Sequence, residues 1–243
     1  MKAMVLAAGE GTRLRPLTYT TPKVMLPLAG RPMLEYIVGW LRTNGIMDIA
    51  INLSHLPEVV MEWLGDGEKL GVRMRYSLEE QALGTAGALS RLRDFFDDTF
   101  LVVYGDMLTD MDVRALADYH RSKAALATLT LFEVEEPRAY GIVEVDSEGR
   151  IRRFVEKPSP GETTSNLANA AIYVLEPEVM DSIPSETFYD FGFDVFPRLL
   201  REGAPLYGYV TDAAILDAGT MENYRHVEQV LAEGRFRPPG VPI

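Results

Sequence analysis

The chain has 243 residues, 47% of them hydrophobic, a formal net charge of −12 and no cysteine. That length suits one α/β domain with an ample core, and the missing cysteines exclude disulfides, thiolate metal sites and a cysteine nucleophile. The acidity argues against a nucleic-acid partner, no apolar run approaches the ~18 residues of a membrane span, and His55, His120 and His226 are too far apart for a metal spacing.

The first predicted element is a strand. Residues 3–8 run Ala-Met-Val-Leu-Ala-Ala without polar alternation, the pattern of a strand buried on both faces in a parallel sheet. Gly9 and Gly11 follow, and glycines there let backbone N–H groups approach phosphate oxygens. Residues 1–31 carry Lys2, Arg13, Arg15, Lys23 and Arg31 against Glu10 alone, a local charge of +4 on a chain whose remainder sums to −16. A basic glycine loop on an acidic chain points to a small anionic ligand. It is not a Walker loop, since no Gly-Lys-Ser/Thr follows. Nor is it a dinucleotide fingerprint, because Leu14 stands where the third glycine belongs.

Pro32 can start a helix at its first turn. Met33, Ile37, Trp40 and Leu41 repeat at helical spacing, and Asn44-Gly45 close the helix. A strand over 46–53, a helix over 57–64 and a strand over 72–76 continue the alternation of βαβ units with right-handed crossovers. Gly84-Thr85 opens a further helix, with Thr85 as its N-cap and its first N–H groups on offer to a ligand. Residues 100–104 form a second buried strand ending in Gly105-Asp106. Ligands sit at the carboxyl ends of parallel strands, so Asp106 is expected at the crevice of the Gly9 loop.

Asp112 caps a helix to about Arg121, and residues 124–133 form a strand. Residues 140–145 and 150–155 form a hairpin around 146–149. The change from alternating elements to adjacent strands predicts an inserted β lobe. Residues 158–165 read as a surface loop, Asp194 as the N-cap of a helix, 206–210 as a strand and 220–233 as a closing amphipathic helix. The expected division is one domain over 1–235 and an extended proline-rich tail over 236–243. The chain enters a strand by residue 3, which leaves no room for a signal peptide. With the missing cysteines this suits a cytoplasmic protein, and a homo-oligomer is left open.

The opening stretch reads Gly9-Glu10-Gly11-Thr12-Arg13-Leu14-Arg15-Pro16-Leu17-Thr18, then Pro22-Lys23, then Pro27-Leu28-Ala29-Gly30-Arg31-Pro32-Met33. It resembles the signature of the sugar-1-phosphate nucleotidyltransferases, the nucleotide-sugar pyrophosphorylases. The later motifs Glu156-Lys157-Pro158, Asn169-Ala170-Ala171-Ile172-Tyr173 and Asp217-Ala218-Gly219-Thr220 resemble further segments of that family. The resemblance implies a Rossmann-like three-layer αβα fold with a mixed, mostly parallel sheet and an inserted sugar-binding β lobe. It implies an NTP and a sugar 1-phosphate as partners, and Mg²⁺ held by Asp106 and Asp217. Nucleotide contacts are implied at Leu6, Ala8, Gly9, Gly11, Thr12, Arg13, Glu79, Glu80, Gly84 and Thr85. Sugar-phosphate contacts are implied at Gly141, Glu156, Lys157, Asn169 and Ala171. Where the family has a glycine, this chain has Ala171, expected to narrow the pocket by a methyl group.

In this setting Arg13 is assigned to the leaving pyrophosphate, Lys23 to the α-phosphate and the sugar phosphate, and Lys157 to the sugar phosphate. Arg13 and Lys23 are the catalytic candidates. Two carboxylates suit magnesium, which takes few protein ligands and fills its shell with water and substrate phosphate. The attacking sugar-phosphate oxygen is already ionised, so no protein base is needed. In the base segment, a carboxylate matches the adjacent N1–N2 donors of guanine, while an amide suits the mixed edge of uracil or thymine. Glu79 and Glu80 against Gln81 favour GTP, and mannose 1-phosphate is the acceptor expected with it. The alternatives are UTP or dTTP with glucose 1-phosphate, a non-sugar phosphate acceptor, and a non-catalytic regulatory subunit that binds nucleotide sugar.

Overall fold

The computed structural model describes residues 1–241. Its elements run β1 (Lys2–Leu6), β2 (Pro27–Leu28), β3 (Arg31–Pro32), α1 (Met33–Thr43), β4 (Asp48–Leu53), α2 (Pro57–Leu64), β5 (Arg73–Leu78), α3 (Gly84–Gly87), β6 (Phe100–Tyr104) and β7 (Met107–Thr109). Then come α4 (Val113–Ser122), β8 (Ala127–Glu133), β9 (Gly141–Val145), β10 (Ile151–Glu156), β11 (Leu167–Leu175), α5 (Phe196–Arg201), β12 (Leu206–Val210), β13 (Ile215–Asp217) and α6 (Met221–Ala232). The chain divides into two compact units. One comprises residues 1–82, 103–111 and 213 onward; the other comprises 83–102 and 112–212.

In the first unit β1, β4 and β5 are parallel neighbours, with Ala3 opposite Ile49 and Asp48 opposite Arg73. The uninterrupted apolar runs have the expected cause, since Ala3, Met4, Val5, Ile49, Ala50 and Ile51 are all fully buried. Between β1 and α1 the chain makes three short 3₁₀ turns, Thr12–Leu14, Leu17–Tyr19 and Lys23–Met25. Leu14 and Val24 anchor this loop in the interior and leave Arg13 on its surface. A cluster of Leu14, Leu28, Met33, Tyr36, Val227, Val230 and Phe236 joins the loop to α1 and α6. The segment after α6, expected as an extended tail, packs down: Phe236 is buried and Arg42 Nη2 donates to the Gly240 carbonyl at 3.0 Å. Residues 242–243 of that expected tail lie outside the described residues.

The second unit holds the adjacent-strand lobe. β9 and β10 form the antiparallel hairpin, β11 runs antiparallel to both β8 and β9, and β12 lies parallel to β8. Tyr173, Phe191, Phe196 and Phe154 pack ring against ring, with centroids 5.0–5.6 Å apart. The strand expected from 124 starts at Ala127, because Ala124 takes a left-handed φ of 46° that closes α4. His120 is buried, with ring nitrogens 2.8 Å from Thr128 Oγ1 and 2.9 Å from Glu176 Oε1, which is a structural role. The architecture is thus α/β with a mixed sheet. Among the described residues no helix is long and apolar enough to cross a membrane.

Candidate active site

The phosphate-loop candidates are set by the end of β1. Gly11 has φ +64°, and a Cβ there would lie 2.8 Å from Thr18 Cγ2 and 3.1 Å from Lys23 Cβ, so only glycine lets the turn close this tightly. Thr18 Oγ1 donates to the Gly11 carbonyl at 2.9 Å, and a His55 ring nitrogen lies 2.8 Å from the Thr18 carbonyl. Arg15 pairs with Glu10 at 2.9 Å and stacks over Tyr19, which removes it from the set of open cations. Asn52, in β4, accepts from the Ala7 N–H at 2.9 Å and donates to Glu79 Oε1 at 2.9 Å. This relay is buried: Asn52 is 2% exposed and Glu79 4%. Glu80 and Gln81 are exposed.

Asp106 and Asp217, 111 positions apart, are brought together by a strand pair that the sequence reading missed. β7 and β13 form their own antiparallel ribbon, with Asp217 opposite Met107, and the Ala218 N–H donates to the Asp106 carbonyl at 2.9 Å. Asp217 therefore ends a strand, β13, of this separate two-stranded ribbon. Gly105 permits the turn, since a Cβ there would strike Val24 Cγ1 and the Leu6 carbonyl at 2.7 and 2.8 Å. Gly219 marks the point of convergence. A Cβ on it would lie 2.7 Å from Asp217 Oδ1, 2.9 Å from Asp106 Oδ2 and 3.3 Å from Arg13 Nη2.

Electrostatics follow from that convergence. Lys23 Nζ donates to Asp106 Oδ2, both side chains being 15% exposed. Burial, then the Asp106 charge, pushes the Asp217 carboxyl above the usual carboxylate range; the Gly219 N–H (2.6 Å), Lys23 and Arg13 pull the other way. Asn223 Nδ2 donates to the second oxygen at 3.3 Å. No cluster of three or more metal-ligating side chains exists among the described residues. Two facing carboxylates, one of them destabilised as an anion, are nonetheless a donor set that a hard divalent cation relieves.

In the second unit Glu156 ends β10. A Cβ on Gly141 would lie 2.6 Å from Glu156 Oε2, and one on Gly192 would lie 3.0 Å from it. Burial, then the neighbouring Asp190, raises the Glu156 pKa, while Lys157 lowers it. Lys157 is exposed, with φ +49°. Asn169 and Ala171 sit at an irregularity of β11, where the register shifts between Asn169 and Tyr173. Asn169 Nδ2 donates to Tyr173 Oη at 2.8 Å, and its Oδ1 accepts from the Ala171 N–H at 3.1 Å. Ala171 has φ +56°, so the replacement of glycine acts first as backbone strain.

Two capping expectations are corrected. Thr85 is not the N-cap of α3: its hydroxyl donates to Asp190 Oδ2 at 2.7 Å, and the Ala86 and Gly87 N–H groups are taken by the Tyr189 carbonyl at 2.9 and 3.0 Å. Asp194 is not a cap either. Asp190 caps the π-helical turn 191–195 by accepting from Gly192 and Phe193, and Asp194 accepts from the Asp190 N–H. Asn52, His55, Asn223 and Asp190 were missed by sequence reasoning, and Gly219 was read only as part of the motif at 217–220. Only the spacing of Gly219 from Asp217 carried any signal.

The chain matches the family described as "Nucleotidyl transferase" over residues 2–234. It belongs to the nucleotidyl transferase family. It is 40% identical over 99% of its length to a Synechocystis protein named UTP–glucose-1-phosphate uridylyltransferase, covering 68% of that protein. It is also 40% identical over 98% of its length to a Mycobacterium tuberculosis protein named mannose-1-phosphate guanylyltransferase, covering 67% of it. A crystal structure from Bacillus anthracis, described as a glucose-1-phosphate thymidylyltransferase with sucrose, matches with a TM-score of 0.84 at 28% identity, over 95% of this chain and 94% of that one. The chain thus spans about two thirds of the length of the two named relatives.

Proposed function

We propose that this nucleotidyltransferase joins GTP and a sugar 1-phosphate, with mannose 1-phosphate as acceptor, to give a GDP-sugar and pyrophosphate. The observation that carries the reaction class is the convergence of Arg13, Asp106 and Asp217 on Gly219, with Lys23 bonded to Asp106. A bond forms between the ionised acceptor oxygen and the α-phosphorus, and the bond from that phosphorus to the β-phosphate oxygen breaks. Arg13 offsets charge on the departing pyrophosphate. Lys23 leaves Asp106 to hold the α-phosphate and the incoming phosphate, and the glycine loop aligns the chain of phosphates. Catalysis here is positioning and charge stabilisation, with no proton to remove. Asp106 and Asp217 would hold a divalent cation, magnesium by the chemistry of two carboxylates and phosphate oxygens, and it would supply further charge offset.

The guanine reading rests on Glu79. It is the one buried acid or amide among residues 79–81, and as a carboxylate it is a pure acceptor, the match for two adjacent donors. On the acceptor side Glu156, Asn169 and Lys157 supply hydroxyl and phosphate partners. The second reading is UTP with glucose 1-phosphate, supported by the Synechocystis relative and by Gln81. Pyrophosphate release measured with GTP, UTP and dTTP, each with mannose and glucose 1-phosphates and Mg²⁺, separates them. Turnover with GTP and mannose 1-phosphate at least ~10-fold above the other pairs is expected, the low end of discrimination by a binding site. Turnover with UTP or dTTP alone overturns the guanine reading, and no turnover with any pair overturns the reaction.

A further inference from the structure

Segment 189–194 has no role in the reaction as proposed, yet it is bonded on two sides within the second unit. Tyr189 is tied to the turn that opens α3 from both sides. Its N–H donates to the Leu83 carbonyl at 2.9 Å, and its carbonyl accepts from Ala86 and Gly87. Asp190 adds a side-chain tie through Thr85 Oγ1, and the same hydroxyl accepts from the Phe191 N–H at 2.9 Å. Backbone contact enforces this closeness: a Cβ on Gly84 would lie 2.5 Å from the Tyr189 carbonyl oxygen, and one on Gly87 would lie 2.4 Å from the Thr187 oxygen. On its other side the segment backs Glu156, with Gly192 against the carboxylate and Asp190 close enough to act on its charge. The turn between the two sides is π-helical, a form that recurs at functional sites because it re-aims side chains.

We propose that Asp190 is a positioning residue that braces the α3 turn to Glu156, so that binding on the nucleotide side and on the acceptor side share one support. The proposal rests on the function proposed above, in which Gly84 and Thr85 serve the nucleotide and Glu156 the sugar. One Asp190 oxygen caps Gly192 and Phe193, and the other holds Thr85. The carboxylate therefore spans both halves of the brace, and Thr85→Val cuts one half while leaving the cap in place.

The test compares wild type, Thr85→Val, Asp190→Ala, Asp190→Asn and the Thr85→Val/Asp190→Ala double variant. Circular dichroism at the assay temperature first selects conditions in which all are folded. Thr85→Val is expected to raise KM about tenfold for both NTP and sugar 1-phosphate, the size of losing one hydrogen bond to a charged group. Asp190→Asn, which can still cap through its amide oxygen and tie to Thr85 Oγ1 by donating its NH2 where the carboxylate accepted, is expected to stay within about threefold of wild type. The double variant is expected to be no worse than the worse single variant, because both cut one connection. An acceptor KM unchanged in both Thr85→Val and Asp190→Ala, or additive losses, overturns the brace. Backbone hydrogen exchange gives the readout that needs no turnover: Thr85→Val should speed exchange in 191–195 and also in 154–157. Faster exchange confined to 83–87 and 191 overturns the brace. A wild type silent with every substrate pair, yet showing the linked exchange, refutes the proposed reaction and leaves the brace standing.

Discussion

The ammonium of Lys23 donates to the carboxylate of Asp106, so the two side chains assigned to opposite tasks, gripping phosphate and gripping metal, hold each other beforehand. Each is 15% exposed, so the pair keeps the long lysine side chain in place without fully burying a charge. Lys23→Ala and Asp106→Ala are each expected to lower kcat about 10²–10³-fold, the scale of one preorganised charge. Steady-state pyrophosphate release checks this, and near-normal turnover in both would contradict the assignment.

Facing carboxylates at Asp106 and Asp217 predict how the protein responds to metal. Chelation should abolish turnover and added Mg²⁺ should restore it. In the presence of GTP, Mg²⁺ should raise the Tm of the wild type and leave Asp217→Asn unmoved. A thermal-shift titration reads this, and an equal shift in both proteins would remove Asp217 from the metal site.

Gly219 has no room for a side chain. Gly219→Ala would press a methyl group against Asp217, Asp106 and Arg13 at 2.7, 2.9 and 3.3 Å. Turnover should fall by about 10²-fold, since displacement of about 1 Å at reacting groups costs that much. A fully active Gly219→Ala protein would mean that the two carboxylates do not act together.

Glu156 sets a pH dependence. Its carboxyl is raised by burial and by Asp190, so it takes up its proton at a higher pH than an ordinary glutamate does. If the ionised form binds the sugar hydroxyls, kcat/KM for the acceptor should fall on acidification earlier than a free carboxylate would dictate, and Glu156→Gln should lose that limb. The pH profile of both proteins decides it; an unchanged limb in Glu156→Gln assigns the titration elsewhere.

Ala171 carries strain that a glycine would relieve. Its φ of +56° disfavours a Cβ by about 1–2 kcal/mol, partly offset by the greater unfolded-state freedom of glycine, about 0.5–1 kcal/mol. Ala171→Gly should therefore raise Tm slightly, by about 1–4 °C at this chain length. Differential scanning calorimetry reads the sign, and a lower Tm would mean that the methyl group contributes packing.

Much of this was legible in the sequence, for physical reasons. Runs such as 3–8 and 100–104 lack polar alternation because both faces are covered, and that pattern marks the parallel β1–β4–β5 layer and the end of β6. Asp112 capped α4 as read, its Oδ1 accepting from the Arg114 N–H. The failures share a cause. Thr85 and Asp194 have ideal local chemistry for N-caps, but a partner 105 residues away claims the first, and Asp190, four residues earlier, displaces the second. β7 and β13 are three residues each, too short for any periodicity to show. Asn52 looks like an ordinary strand residue until its fold neighbours are known.

Asn52 also constrains redesign of the substrate range. One amide reads two tenants, the Ala7 N–H at the mouth of the glycine loop and the Glu79 carboxylate. In a Glu79→Gln variant Asn52 keeps its oxygen on the Ala7 N–H and its Nδ2 on the new side chain, so the glutamine must turn its amide oxygen to Asn52 and its NH2 the other way. If Glu79 reads the base and the glycine loop seats the triphosphate as proposed, Asn52 couples the two, and a library that varies position 79 alone samples only half of the variable.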